Sequence, residues 1–363
     1  MIKNLSVKNF KCFEELSLEM SNLNVFTGIN SMGKSTIIQA LLLLRQSFDI
    51  GLSSKGLQLN GNIANVGIGK DLLYRNSEID EIEIMITDNA HLFLWKYAYE
   101  AESDYLKVSN TNVSDVALNN VNLFSPTFSY VSAERIGPQR FYKKSYHEVF
   151  DMNQVGYKGE LFADYIAERG LDDKVKNEAV LYKGITNSSL IFQTEAWLSE
   201  ISPGISLGIK EYTEAGLVSV QYKVGDDLFS PLNVGFGLSY VMPIIVSILK
   251  ARPGDLVILE NPEAHLHPKG QRKMGELIAN ACAGGVQIIV ETHSDHLLNG
   301  IRLAVKRGEI DRALIRLNYF YLLLMDKKTI HAKTSPAILD DGSLSDWPDG
   351  FFDEWDKAID ELF

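Results

Sequence analysis

The sequence predicts an α/β fold in which elements from both chain ends build a parallel sheet and the residues between them form an inserted lobe. Three observations carry this. A buried-strand pattern at Leu23–Phe26 runs into a glycine-punctuated turn and then an apolar helix over Ile37–Phe48. A strand, helix, strand, helix order returns over Leu256–Leu259, Lys269–Ala283, Val286–Val290 and Asp295–Val305. Between these ends, Ile82, Ile84 and Ile86 recur at a period of two, the signature of a half-buried antiparallel strand.

Taken in order, Ile2, Leu5, Val7 and Phe10, then Leu16, Leu18 and Met20, mark two strands before Leu23. Residues 50–78 are rich in Gly and read as a loop excursion. Residues 79–108 read as a β-hairpin or meander, and residues 109–125 as a polar loop. Tyr130 and Val131 are a short apolar stretch, residues 157–200 carry helical patterns, and residues 205–224 alternate again. Gly235–Leu249 is expected to be a helix entered through a Gly-rich loop, with Ser239 at its N-cap and Pro243 near its fourth position. Four segments follow: an N-terminal half (1–130), an inserted lobe (131–231), a C-terminal half (232–310) and a small C-terminal domain (311–363).

The chain has 363 residues, 45% of them hydrophobic and 23% charged, with a net charge of −12. That is ordinary globular usage. Asp340–Phe363 holds nine acidic residues and one lysine, so eight of the twelve negative units lie in the tail. Phe351, Trp355 and Ile359 fall on one face of a tail helix with acids on the other. No stretch approaches the roughly 18 apolar residues of a membrane span, and no signal-peptide core follows Met1. Two cysteines, Cys12 and Cys282, suit a reducing compartment. The expectation is a cytoplasmic protein with no membrane partner.

Gly28-x-x-x-x-Gly33-Lys34-Ser35 completes the pattern of a phosphate-binding loop, which average residue frequencies produce about 0.01 times in a chain of this length. Gly28, Asn30, Ser31 and Gly33 present backbone N–H groups to phosphate, and Lys34 reaches the β- and γ-phosphates. The Ser35 hydroxyl binds Mg2+, and Thr36 supports the α-phosphate or the helix start. ATP and Mg2+ are the expected ligands. Leu256–Leu259 ends in Glu260, a carboxylate at a strand tip suited to Mg2+ through water. Val286–Val290 leads to His293, placed to touch a γ-phosphate or its attacking water, with Ser294 or Asp295 as a helix cap. His265 and His267 sit on a Pro-bounded turn and read as packing or contact residues, with zinc the alternative. Arg135 either couples nucleotide to the lobe or pairs with an acid. Arg140-Phe-Tyr-Lys-Lys-Ser-Tyr146 interleaves bases and aromatics, as a solvated loop or a nucleic-acid patch.

Together these motifs resemble the ABC-type ATPase heads of the RecF, SMC and OLD (overcoming lysogenisation defect) group. The resemblance rests on Leu5-Ser-Val-Lys-Asn-Phe-Lys, Gly28–Thr36, Leu256–Pro268 and Thr292-His293-Ser294. Glu260-Asn-Pro-Glu-Ala-His-Leu-His-Pro268 and Trp347-Pro-Asp-Gly-Phe-Phe352 are similar to a bacterial AAA-family branch with a small C-terminal domain. The resemblance implies a P-loop NTPase with an N-terminal antiparallel β-subdomain and an inserted arm lobe. It implies a head-to-head homodimer around two ATP molecules, with Gly237 and Ser239 contacting the γ-phosphate in trans. It also implies a sensor of phage infection or stress acting with a separately encoded effector; a DNA-repair ATPase and a nucleotide-locked scaffold are the alternatives. Two departures stand out. Asn261 replaces the usual second acid, so Glu263 or His293 must activate water or turnover is slow. Only 70 residues follow His293, and no Toprim nuclease is expected in them.

Overall fold

The computed structural model describes residues 1–325, 328–348, 350–352 and 354–362; the side chains of residues 115, 325, 328 and 354–357 lie outside that description. In chain order the elements are β1 (Asn4–Phe10), β2 (Phe13–Glu19), β3 (Leu23–Gly28), α1 (Lys34–Asp49), β4 (Gly56–Gln58), β5 (Glu81–Thr87), β6 (Leu92–Ala98), β7 (Tyr105–Thr111) and α2 (Asp115–Leu118). Then come β8 (Ser129–Val131), β9 (Tyr142–Lys143), α3 (Phe162–Arg169), α4 (Leu190–Ile201), β10 (Ile205–Tyr212), β11 (Leu217–Val224), β12 (Asp227–Phe229) and α5 (Phe236–Lys250). The chain closes with β13 (Leu256–Glu260), α6 (Pro268–Ala283), β14 (Gln287–Glu291), α7 (Asp295–Lys306), β15 (Ile315–Met325), β16 (Lys328–Thr334) and α8 (Glu354–Leu362). No helix among the described residues is long and apolar enough to cross a membrane.

The chain forms two compact units. The first comprises residues 1–21, 26–125 and 316–335. Its antiparallel sheet has the order β2-β1-β5-β6-β7-β4. Ile82, Ile84 and Ile86 are buried while their neighbours are half-exposed, and Val7 and Leu5 sit opposite Ile84 and Ile86. The period of two in the sequence is this face. Helix α1 buries Leu41 to Leu44 consecutively, as a helix apolar on all sides must. Residues 109–125 are not the polar loop the sequence suggested. Val113, Leu118, Val121, Leu123 and Phe124 are buried, and the Phe124 ring lies 4.9 Å from Phe48. Leu118, Val121 and Phe124 recur every third residue and are all buried, a pattern hidden among the asparagines.

The second unit comprises residues 22–25, 126–315 and 336–363. Its parallel ladder sets β13 between β14 and β8, with Glu260 opposite Glu291. The start of β3 joins on the other side, where Asn22 O accepts the Ile288 N–H at 2.6 Å. Residues Leu256–Leu259 and Ile288–Val290 are fully buried, which is why they read as continuous apolar runs. Helices α6 and α7 approach closely through glycine: a Cβ on Gly300 would lie 2.1 Å from Arg272 O. A smaller antiparallel sheet, β10-β11-β12 with β9 on β11, forms the rest. These units regroup the four sequence segments. The first break falls after Ser125 rather than residue 130, residues 131–231 and 232–310 share one unit, and residues 311–363 are divided between both.

Helix α5 corrects a second expectation. It starts at Phe236 with Gly235 as N-cap, so Ser239 lies one turn inside and Pro243 two turns inside. Pro243 therefore withholds an N–H from the Ser239 carbonyl. Of the expected tail face, Phe351 is buried beside Trp347 and Phe352; the Trp355 side chain lies outside the described residues.

Candidate nucleotide site

The phosphate loop belongs to the first unit. Gly28 has φ +137°, and a Cβ there would lie 2.2 Å from Phe320 O. Gly33 has φ +102°, and its Cβ would strike the Phe13 ring at 2.4 Å and Cys12 Sγ at 2.9 Å. Both positions require glycine, by conformation and by space. Between them Ser31 is also left-handed, at φ 66°. Helix α1 begins at Lys34 with no side-chain cap and no acid in its first turn. Its first N–H groups have no intrahelical acceptor and carry partial positive charge. Lys34 is buried, and its Nζ donates to Gly28 O at 2.9 Å and Ile29 O at 2.8 Å, tying the loop's neck. Asn30, Ser31 and Ser35 are exposed, while Thr36 is half-buried with its Oγ1 3.7 Å from Cys12 Sγ. An uncapped, acid-free helix start behind an exposed glycine loop fits a polyphosphate, and the exposed Ser35 hydroxyl fits its Mg2+.

The acidic edge belongs to the second unit. Parallel pairing of β13 and β14 brings Glu260, Glu263 and His293 to the same carboxyl end. Glu260 Oε2 accepts the Ala133 N–H at 2.9 Å, the Tyr130 hydroxyl lies beside it, and burial raises its carboxyl above the usual range. The chain then turns through Asn261 at φ 45°, a conformation asparagine tolerates better than most residues. Glu263 is 9% exposed. Its Oε1 accepts the His293 N–H at 2.8 Å, Oε2 is buried without a hydrogen bond, and burial raises this carboxyl too. His293 is exposed, and Ser294 caps α7 by accepting the Leu297 N–H at 3.0 Å.

Arg135 holds this edge together, a role the sequence left open. It is 5% exposed, and its guanidinium donates to Ser132 O at 2.9 Å, Glu260 O at 2.7 Å and Asn261 O at 2.7 Å. Its carbon lies 5.6 Å above the Tyr240 ring. No sequence signal marks these partners, because all three are main-chain carbonyls.

Ser239, expected to contact a γ-phosphate in trans, is buried in the single chain. Its side chain is 1% exposed and faces the hydroxyls of Tyr142 and Tyr222, because the helix begins earlier than a Ser cap implied. Gly237 serves a close approach instead: a Cβ there would lie 2.6 Å from His265 O. His265 packs against Tyr240, and His267 caps α6 through Lys269 N–H. The basic-aromatic run is also partly spent. Tyr142 is buried, and Lys144 bridges Glu168 and Glu211 at 2.5 Å each.

A family model described as "AAA domain, putative AbiEii toxin, Type IV TA system" matches residues 23–299. The chain belongs to this AAA family. A second model, DUF3696, described as protein of unknown function, matches residues 318–362 of the AAA-family chain. Endonuclease GajA of Bacillus cereus (strain VD045) is 29% identical over 84 residues, covering 23% of this chain and 12% of GajA. The chain thus matches about an eighth of that relative. Two solved structures share the fold at 13% identity and a TM-score of 0.52. One is the SmcHead bound to the C-winged helix domain of ScpA, covering 92% of this chain and 97% of that one. The other is the Smc head domain with an extended coiled coil, bound to the C-terminal domain of ScpA derived from Pyrococcus furiosus, covering 99% of each. The fold of this AAA-family chain is that of the Smc head domains.

Proposed function

We propose that this AAA-family chain binds and hydrolyses Mg-ATP and acts as an ATP-gated regulator in a bacterial phage-defence or stress system, with a separately encoded effector. The observation that carries the ATP reading is the uncapped, acid-free start of α1 behind Gly28 and Gly33. In this reading Lys34 and the loop N–H groups bind phosphates, and Ser35 and Glu260 hold Mg2+. The metal, when bound, neutralises developing charge on the phosphates. Glu263 accepts the proton of the attacking water. Its burial lifts its affinity for protons, which suits a base better than a solvated carboxylate. His293 lies beside it in sequence of contacts through its own N–H and is the second candidate for orienting water. Asn261 lends polarity but no proton acceptance. The partial likeness to GajA supports the defence context.

Head-to-head dimerisation is part of the proposal, with the exposed, uncapped start of α5 at Gly235 and Phe236 as the surface in place of Ser239. The test is phosphate release and light-scattering mass with and without Mg-ATP. Wild type should release phosphate and double its mass with ATP, and Lys34→Ala should do neither. Equal phosphate release by Lys34→Ala refutes the site. Asn261→Glu should raise turnover if the missing acid limits it; an unchanged rate removes Asn261 as the limiting residue.

A further inference from the structure

The second unit carries a cavity of about 280 Å³ that the nucleotide reading does not use. It opens between the ends of α3 and α5 and the start of α4. Five of its lining residues are cations (Arg169, Lys174, Lys176, Lys250 and Arg252), and two are acids (Asp172 and Asp173). This surplus stands in a chain whose net charge is −12.

Among the described residues, four of these five cations are not spent on an internal ion pair. Arg169 is, since its Nε lies 2.9 Å from Asp173 and its Nη1 donates to Asn153 Oδ1 and Val149 O. Lys174 Nζ has a hydroxyl partner, Ser189 Oγ at 2.5 Å. Lys250 Nζ donates to one main-chain carbonyl, Asn153 O at 2.8 Å, and lies 5.7 Å from the Tyr165 ring. Burial pulls its ammonium down to about 7, with Asp255 and Asp173 pulling the other way from a distance and Arg169 and Arg252 adding to the fall. Lys176 and Arg252 are exposed at the rim. A lysine at the C-terminal end of α5 complements the helix dipole, which accounts for one cation and not for four. Tyr165, Leu190 and Leu249 supply apolar wall.

We propose that this cavity binds a small phosphorylated metabolite, with half-buried Lys250 on its inner wall and the exposed Lys174, Lys176 and Arg252 at its mouth taking the phosphate. The volume equals about nine waters of liquid, the size of a sugar phosphate. A dianionic phosphate matches the unpaired charge better than a single carboxylate, and mixed Lys and Arg donors suit its oxygens. Binding also gives the Lys250 ammonium a counter-ion where it now has a carbonyl.

Isothermal titration of ribose 5-phosphate into the full-length chain tests this. Wild type should bind saturably. The doubly substituted Lys176→Glu/Arg252→Glu chain, altered only at exposed side chains, should lose at least about tenfold in affinity, the effect of one charge-assisted contact. Lys250→Met should weaken binding similarly. Lys34→Ala should bind as wild type does, which separates this cavity from the phosphate loop. Absence of saturable binding overturns the proposal, as does equal affinity in the Lys176→Glu/Arg252→Glu chain or loss of binding in Lys34→Ala. Citrate binding as tightly as ribose 5-phosphate overturns the phosphate class.

Discussion

Replacing Arg135 by Ala should unfasten the acidic edge. Three carbonyls, those of Ser132, Glu260 and Asn261, lose their guanidinium donor in a setting where the side chain is 5% exposed. A hydrogen bond to a charged group contributes about 1.5–3 kcal/mol, but three on one fork are coupled and do not add fully. The loss should resemble breaking one side of a buried ion pair, about 3–5 kcal/mol. At roughly 2–4 °C per kcal/mol for a unit of this size, the melting point should fall by about 6–20 °C. Arg135→Lys keeps the charge without the planar fork and should fall between the two. Differential scanning calorimetry reads the shift, with exposed Arg140→Ala as a control expected within about 0.5 kcal/mol of wild type. A drop below about 2 °C in Arg135→Ala would mean that water replaces the guanidinium at little cost, and the fastening role would be wrong.

Four other outcomes follow from the structure. Glu263→Gln keeps an acceptor for the His293 N–H and removes the base, so phosphate release should fall about 10²–10⁴-fold with nucleotide binding retained; a rate within threefold of wild type, roughly, would exclude Glu263 as base. The same change should stabilise the chain at about pH 8. A buried acid with a raised folded pKa contributes stability below the unfolded carboxylate range and loses it as pH rises through the raised value, so the advantage of Gln should vanish near pH 4. Turnover should accordingly fall on the acid side at a higher pH than an ordinary carboxylate would set. Gly300→Ala sets a methyl 2.1 Å from Arg272 O between α6 and α7 and should cost about 1–3 kcal/mol by denaturant melting, with an unchanged midpoint counting against that close approach.

The legible parts of the molecule were those where a period or a spacing survives in the sequence. The isoleucines of β5, the unbroken apolar runs of β13 and β14 and the glycine spacing around Lys34 each translate directly into a face, a buried strand or a turn. Residues 109–125 read as a polar loop because their five buried apolar residues are diluted by asparagine and serine, and composition outweighs spacing. The start of α5 was misread because serine is the stronger cap on propensity, yet glycine at 235 already ends the extended chain and Phe236 opens the helix. Arg135 was undecidable because its partners are peptide groups, two of them about 125 residues away, which any sequence would supply. The acid count of the tail was readable; of its apolar residues, Phe351 is buried, and the Trp355 side chain lies outside the described residues.

The wall behind Gly28 has a consequence for synthesis. Phe320 packs on Phe13 and Phe26 and places its carbonyl against the glycine, yet it follows Gly28 by nearly three hundred residues. At roughly 5–20 residues per second, a ribosome leaves the phosphate loop without that wall for about 15–60 s. A nascent chain therefore carries Gly28 and Lys34 long before it has the strand whose carbonyl lies against Gly28. In the proposed reading, nucleotide capture waits until the ribosome has passed Phe320.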